Sequence, residues 1–150
     1  MSSYQTILAA VDSTDEAKEI LGAAVRTAQD HGAQLHVMTV IRPLNYTYTG
    51  FESAGISQAM ANFEMDATSS AQGQLDKLAE PLGIEKECLH VALGRPADEI
   101  KSMAQQIDAN LIVVGSHGRH GLGLILGSTA NGILHGSPCD VLTVRIAKSD

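Results

Sequence analysis

A chain of 150 residues has the size of one ordinary domain, expected to span 1–150, and can bury a core without disulfides or a structural metal. Seventeen acidic against ten basic residues leave a formal charge of −7, which repels nucleic acid and anionic membrane, and no basic cluster with interleaved aromatics offsets it. No apolar run nears the ~20 residues that span a bilayer, the start lacks a secretory signal, and Cys88 and Cys139 form no CxxC or Cys/His ligand pattern, so a cytoplasmic, reducing location is expected.

Along the chain, Thr6 to Val11 is a short aliphatic stretch that reads as a strand. A helix follows from Ser13, which forms a capping box with Glu16, and Ala17, Ile20, Leu21, Ala24, Val25 and Ala28 line its apolar face until Gly32 stops it. Gln34 to Ile41 is the second strand. Residues 42–56, with Pro43, Gly50 and Gly55, make the longest loop. Met60, Phe63, Ala67, Ala71, Leu75, Leu78 and Leu82 recur at steps of three and four, which predicts a second helix ending at Gly83 with Pro81 in its last turn.

Cys88 to Ala92 is a fifth, less apolar strand candidate. Pro96 suits a first helical position, and Ile100, Ala104 and Ile107 form the stripe of a third helix. Leu111 to Val114 is apolar on both faces, as a central parallel strand requires. A fourth helix after Gly127 and Ser128 carries Ala130, Ile133 and Leu134, and Asp140 to Ile146 is the last strand. Strands alternating with amphipathic helices predict a five-stranded parallel sheet with helices on both faces. Ligands of such sheets bind beyond the carboxyl ends of the strands, where strand order reverses, which directs attention to the residues after Val11, Val40 and Val114.

From Gly115 to Thr129 the chain holds five glycines in fifteen residues. Glycines let backbone approach a ligand closely, and exposed N–H groups leading into a helix make a cradle for phosphate oxygens. Ser128 and Thr129 add hydroxyl donors. No Lys precedes Ser128, which excludes a Walker loop, and the glycines span too long a stretch for a GxGxxG dinucleotide turn.

Ala10-Val11-Asp12-Ser13, Val114-Gly115-Ser116-His117-Gly118, Gly127-Ser128-Thr129 and the closing Pro138 to Arg145 together resemble the universal stress protein family, in its UspA-like branch, over essentially the whole chain. The resemblance implies an adenine-nucleotide α-hydrolase-like, Rossmann-like fold. Its specific part is the Gly-x-x-Gly then Gly-Ser pattern of the family's ATP-binding signature; residues 119–126 between Gly118 and Gly127 number eight, one fewer than in its commonest form. By resemblance, adenine meets the backbone of Val40 together with Ala10 and Val11. Asp12 contacts ribose or a phosphate-bound divalent ion, Mg or Mn. Gly115, His117, Gly118, Gly127, Ser128 and Thr129 surround ribose and phosphates. The implied ligand is ATP, with ADP or AMP as alternatives.

The implied assembly is a homodimer through Val141 to Ile146, serving as a nucleotide-responsive stress or signalling module with an unidentified protein partner. A nucleotide-independent adaptor and a slow ATPase are the rival expectations. No catalytic constellation stands out, and His117 and His120, three apart, lack a third metal ligand. His31, His36, His90 and His135 read as surface or satisfied interior histidines, and the two cysteines as small buried apolar residues. Met60, Phe63 and Met65 read as core or dimer-packing residues.

Overall fold

The computed structural model describes residues 3–12, 16–43, 54–116 and 128–146. Strand β1 (Thr6–Ala10) leads to α1 (Glu16–His31), β2 (Gln34–Ile41), α2 (Ala54–Ala79), β3 (Leu89–Leu93), α3 (Pro96–Gln106), β4 (Leu111–Gly115), α4 (Ser128–Leu134) and β5 (Asp140–Val144). The strands pair in parallel in the order β3-β2-β1-β4-β5. This is the expected five-stranded Rossmann-like sheet. Sequence order runs outward from β1 to one edge and from β4 to the other, so it reverses between β1 and β4.

Side chains alternate across a strand, and the burial follows that parity. Ile7, Ala9, Val37, Leu89, Leu111 and Val113 face Ala17, Ile20, Leu21, Ala24 and Ala28 of α1 and Leu75 and Ala79 of α2. Leu8, Met38, Ile112 and Val114 face Ile100 and Ala104 of α3 and Ala130 and Ile133 of α4. The central strands β1 and β4 are thus covered on both faces. Their amino ends are tied together by Asn110, whose Oδ1 accepts the N–H of Gln5 at 2.9 Å and of Thr6 at 3.1 Å while its own N–H donates to the Thr6 carbonyl at 2.8 Å.

Helices α3 and α4 meet closely at Gly132, where a Cβ would lie 2.8 Å from the Ala97 Cβ. Gly132→Val is therefore expected to cost about 1–3 kcal/mol by overpacking, read as a lower urea midpoint at unchanged slope. Gly22 in α1 provides the contrast. A Cβ there meets Arg26 Nη1 at an ordinary 3.5 Å, so Gly22→Ala should leave the midpoint unchanged or raise it, in line with the ~0.5–1 kcal/mol that alanine gains inside a helix.

Three expectations need correction, the first being the loop over 42–56, whose last three residues already belong to α2. The apolar stripe of α2 is buried only near its carboxyl end: Leu75 and Ala79 enter the core, whereas Phe63 is 58% and Met65 68% exposed and Leu82 is exposed as well. A helix of 26 residues is about 39 Å long, more than twice the roughly 17 Å of a five-residue strand, so its excess runs past the sheet. Phe63 and Met65 are not core residues. The helix also stops at Ala79 rather than at Gly83, because a tighter turn at Glu80–Leu82 accommodates Pro81, which has no N–H to donate. Gly83, at φ 70°, then ends the segment in the left-handed conformation that glycine favours.

Candidate functional site

Peptide groups of successive residues in a strand point to opposite sides, toward one neighbouring strand and then the other. The Met38 carbonyl accepts the N–H of Val11 at 2.9 Å, so Met38 points toward β1; the Ile41 carbonyl accepts the N–H of Gly94 at 2.9 Å, so Ile41 points toward β3. Val40, two residues after Met38, therefore turns both its N–H and its C=O to the β1 side. Yet the β1–β2 register ends at Ala10↔Met38. Strand β2 overhangs β1, and the Val40 peptide groups face the space beyond the end of β1 with no strand of the described residues to pair them.

The fold brings several of the sequence-derived candidates to this carboxyl edge. Ala10 and Val11 close β1, with the Val11 side chain in the core under α1, so its backbone alone can meet a ligand. Asp12 follows directly and is partly buried. Gly115 closes β4, next to β1 in the sheet. A Cβ on it would lie 3.0 Å from Ile20 Cδ1 and 3.5 Å from Ile146 Cδ1, which gives this glycine a packing reason in addition to any ligand. Helix α4 follows β4 and starts on the same side of the sheet, with Thr129 partly buried in its first turn. His117, Gly118 and Gly127 lie outside the described residues, as does the Ser128 side chain.

Ser116 was not among the candidates, although it sits within the Gly115-Ser116-His117-Gly118 motif. Its N–H donates to the Val144 carbonyl at 2.8 Å and its Oγ accepts the N–H of Ile146 at 3.3 Å. It thereby pins the chain after β5 against the end of β4. Its place in the motif was the available signal, but nothing local in the sequence says that the hydroxyl turns toward β5.

Electrostatics at the cysteines agree with structural roles. Burial, first, pushes the thiol of Cys88 up, with Glu85 and Glu87 adding; burial and then Asp140 push that of Cys139 up. Protonated thiols are poor nucleophiles and poor metal ligands. Among the described residues no group of three or more His, Cys, Asp or Glu could hold a metal ion by itself, and no helix is long and apolar enough to cross a membrane.

Comparison with known proteins agrees with this architecture. The family model described as the universal stress protein family matches residues 3–145. Universal stress protein A homolog 1 of Coxiella burnetii is 36% identical over 141 residues, covering 94% of this chain and 96% of its own length. Among solved structures, universal stress protein UspA from Lactobacillus plantarum has a TM-score of 0.71 at 26% identity, over 97% of this chain and 100% of that one. A universal stress protein in complex with cAMP has a TM-score of 0.65 at 24% identity, over 96% of this chain and 98% of that one. With the parallel sheet, its reversal between β1 and β4 and a family match from residue 3 to residue 145 in agreement, the chain belongs to the universal stress protein family.

Proposed function

We propose that the protein binds an adenine nucleotide, ATP with Mg²⁺ or Mn²⁺, at the carboxyl edge between β1 and β4, with ADP and AMP as alternative ligands, and that it acts as a homodimeric stress or signalling module. The observation that carries this reading is the Val40 peptide pair, which no strand of the described residues pairs. One donor and one acceptor from a single residue, facing the same way, complement the adenine edge, where an amino donor adjoins a ring-nitrogen acceptor. Guanine presents a different order of donors and acceptors there. Ala10 and Val11 form the floor of the base pocket, Gly115 and the glycine loop receive ribose and phosphates, and Ser128 and Thr129 supply hydroxyls. A divalent ion bound mainly by phosphates and water needs little more from the protein than one carboxylate, the role given to Asp12. The relative solved with cAMP, itself an adenine nucleotide, supports the same ligand class.

Calorimetric titration of ATP, adenosine and GTP tests the proposal. Ser128→Ala removes a donor to a charged acceptor, worth roughly 1.5–3 kcal/mol, so ATP affinity should fall about ten- to hundredfold while adenosine binding changes little. Val40→Pro removes an N–H that no strand of the described residues uses, a substitution a strand tolerates on its unpaired side, and should weaken ATP and adenosine together by up to about tenfold. If Ser128→Ala weakened ATP and adenosine equally, the phosphate assignment would be wrong. Wild-type protein that binds none of the three would leave the nucleotide-independent adaptor, to which the eight-residue interval 119–126 already points.

A further inference from the structure

His36 on β2 and His90 on β3 lie on adjacent strands, and the register Met38↔His90 makes them diagonal neighbours on the face covered by α3. Nδ1 of His36 is 3.0 Å from Nε2 of His90. The ring centroids are 5.2 Å apart with planes 12° from parallel. The nitrogen gap plus the two ring radii accounts for nearly all of that separation, so the imidazoles meet edge to edge rather than face over face. One ring's N–H aims at the other ring's lone pair, and the tautomers decide which ring donates. Both side chains are half-buried, and β3 is an edge strand that pairs, among the described residues, with β2 alone.

We propose that the His36–His90 pair is a proton-operated latch on the edge strand β3, closed while the two facing nitrogens share one hydrogen and opened when both carry one. With both rings neutral, a single N–H···N bond links the strands. A first added proton can occupy an outward nitrogen and leave that bond intact, now charge-assisted. A second proton puts hydrogens on both facing nitrogens and two like charges at hydrogen-bond distance, so the bond is lost and repulsion replaces it.

The surroundings favour the neutral pair. Burial holds both imidazoles below the ordinary histidine range, and His90 adds to the effect at His36. Helix α3, which packs on β2, carries Asp98, Glu99 and Lys101, with Asp108 beyond it, while Glu85 and Glu87, ahead of β3, act on Cys88. An unfolded histidine titrates near ~6.5, and the folded values lie lower. Between the two the unfolded chain binds more protons, so the stabilisation by the pair is fully present above about pH 6.5 and is lost as pH falls through the folded values. Those values belong to the coupled pair rather than to either ring.

The test is a residue-resolved NMR titration of the full chain from about pH 8 to pH 5, the range in which histidine charge changes, following histidine ring protons and amide exchange. His36 and His90 should titrate in concert, in two steps, the second well below the ordinary histidine range. After correction for intrinsic rates, amides of Leu89–Leu93 should lose protection as the pH falls to the acid end, the direction that histidines held below their unfolded value require, while those of β4 keep theirs. His36→Gln and His90→Gln, which keep a polar side chain that cannot take up a proton, should each abolish the acid-dependent loss. Independent titration of the two wild-type rings near the ordinary value would overturn the latch without recourse to any variant. So would β3 protection that does not change with pH, or an acid-dependent loss that persists in both variants.

Discussion

Replacing Ile133 with alanine should lower stability by about 2–5 kcal/mol, the range for emptying a fully buried aliphatic site, whereas Leu134→Ala, one residue on, should change it by no more than about 0.5 kcal/mol. Helix α4 has seven residues, too few to be stable without packing. Its anchorage is Ala130 and Ile133, and Ile133 is wholly buried against the face of Leu8, Ile112 and Val114. Leu134 is 46% exposed. Against a total of about 5–15 kcal/mol for a native domain, the Ile133 loss is large enough to be read directly from urea unfolding, with an unchanged slope showing that the unfolded state is the same. Equal costs at the two positions would mean that α4 is not docked on the sheet as described.

Leu142→Asp is expected to convert the proposed dimer into a monomer with little loss of subunit stability. The Val144 carbonyl accepts from Ser116 toward β4, so by alternation the peptide groups of Val141 and Thr143 point away from β4, out of the sheet edge. A two-fold partner can add its own β5 there in antiparallel fashion and cover the edge. Leu142 is 37% exposed, so a carboxylate placed on it meets water in the monomer and a desolvated apolar contact in the proposed dimer. A loss of at least about 2 kcal/mol, near thirtyfold in dissociation constant, is the hot-spot scale expected of such a change. Sedimentation equilibrium of the two proteins at micromolar concentration measures it, and a monomeric wild type at that concentration would exclude the proposed interface. Val144→Asp is the poorer probe, because Val144 packs on the core that also buries Ile146 to 5% exposure, and its loss would damage the subunit itself. Of the segment from Val141 to Ile146, the last side chain belongs to the inside of its own subunit.

The sequence by itself determined what local chemistry dictates. Period-two and period-3.6 apolar spacing gave the nine elements in order, and Gln34 to Ile41 matches β2 end for end. The uniformly apolar Leu111 to Val114 announced a central strand, and Ile100 and Ala104 were identified as buried from their spacing alone. The glycine density after β4 and the family motifs directed attention to one edge of the sheet. What only the tertiary structure decided depends on distances between segments remote in the chain. Helix length relative to strand length left Phe63 outside the core, although its spacing matched that of Leu75, and Met65 is exposed with it. The offset between the ends of β1 and β2 left the Val40 peptide groups without a strand partner among the described residues, and no residue type signals such an overhang. Parallel register placed His36 beside His90, fifty-four positions apart, where each histidine read alone is an unremarkable polar residue. Periodicity follows from geometry within one element, whereas register, overhang and pairing arise only when separate elements dock.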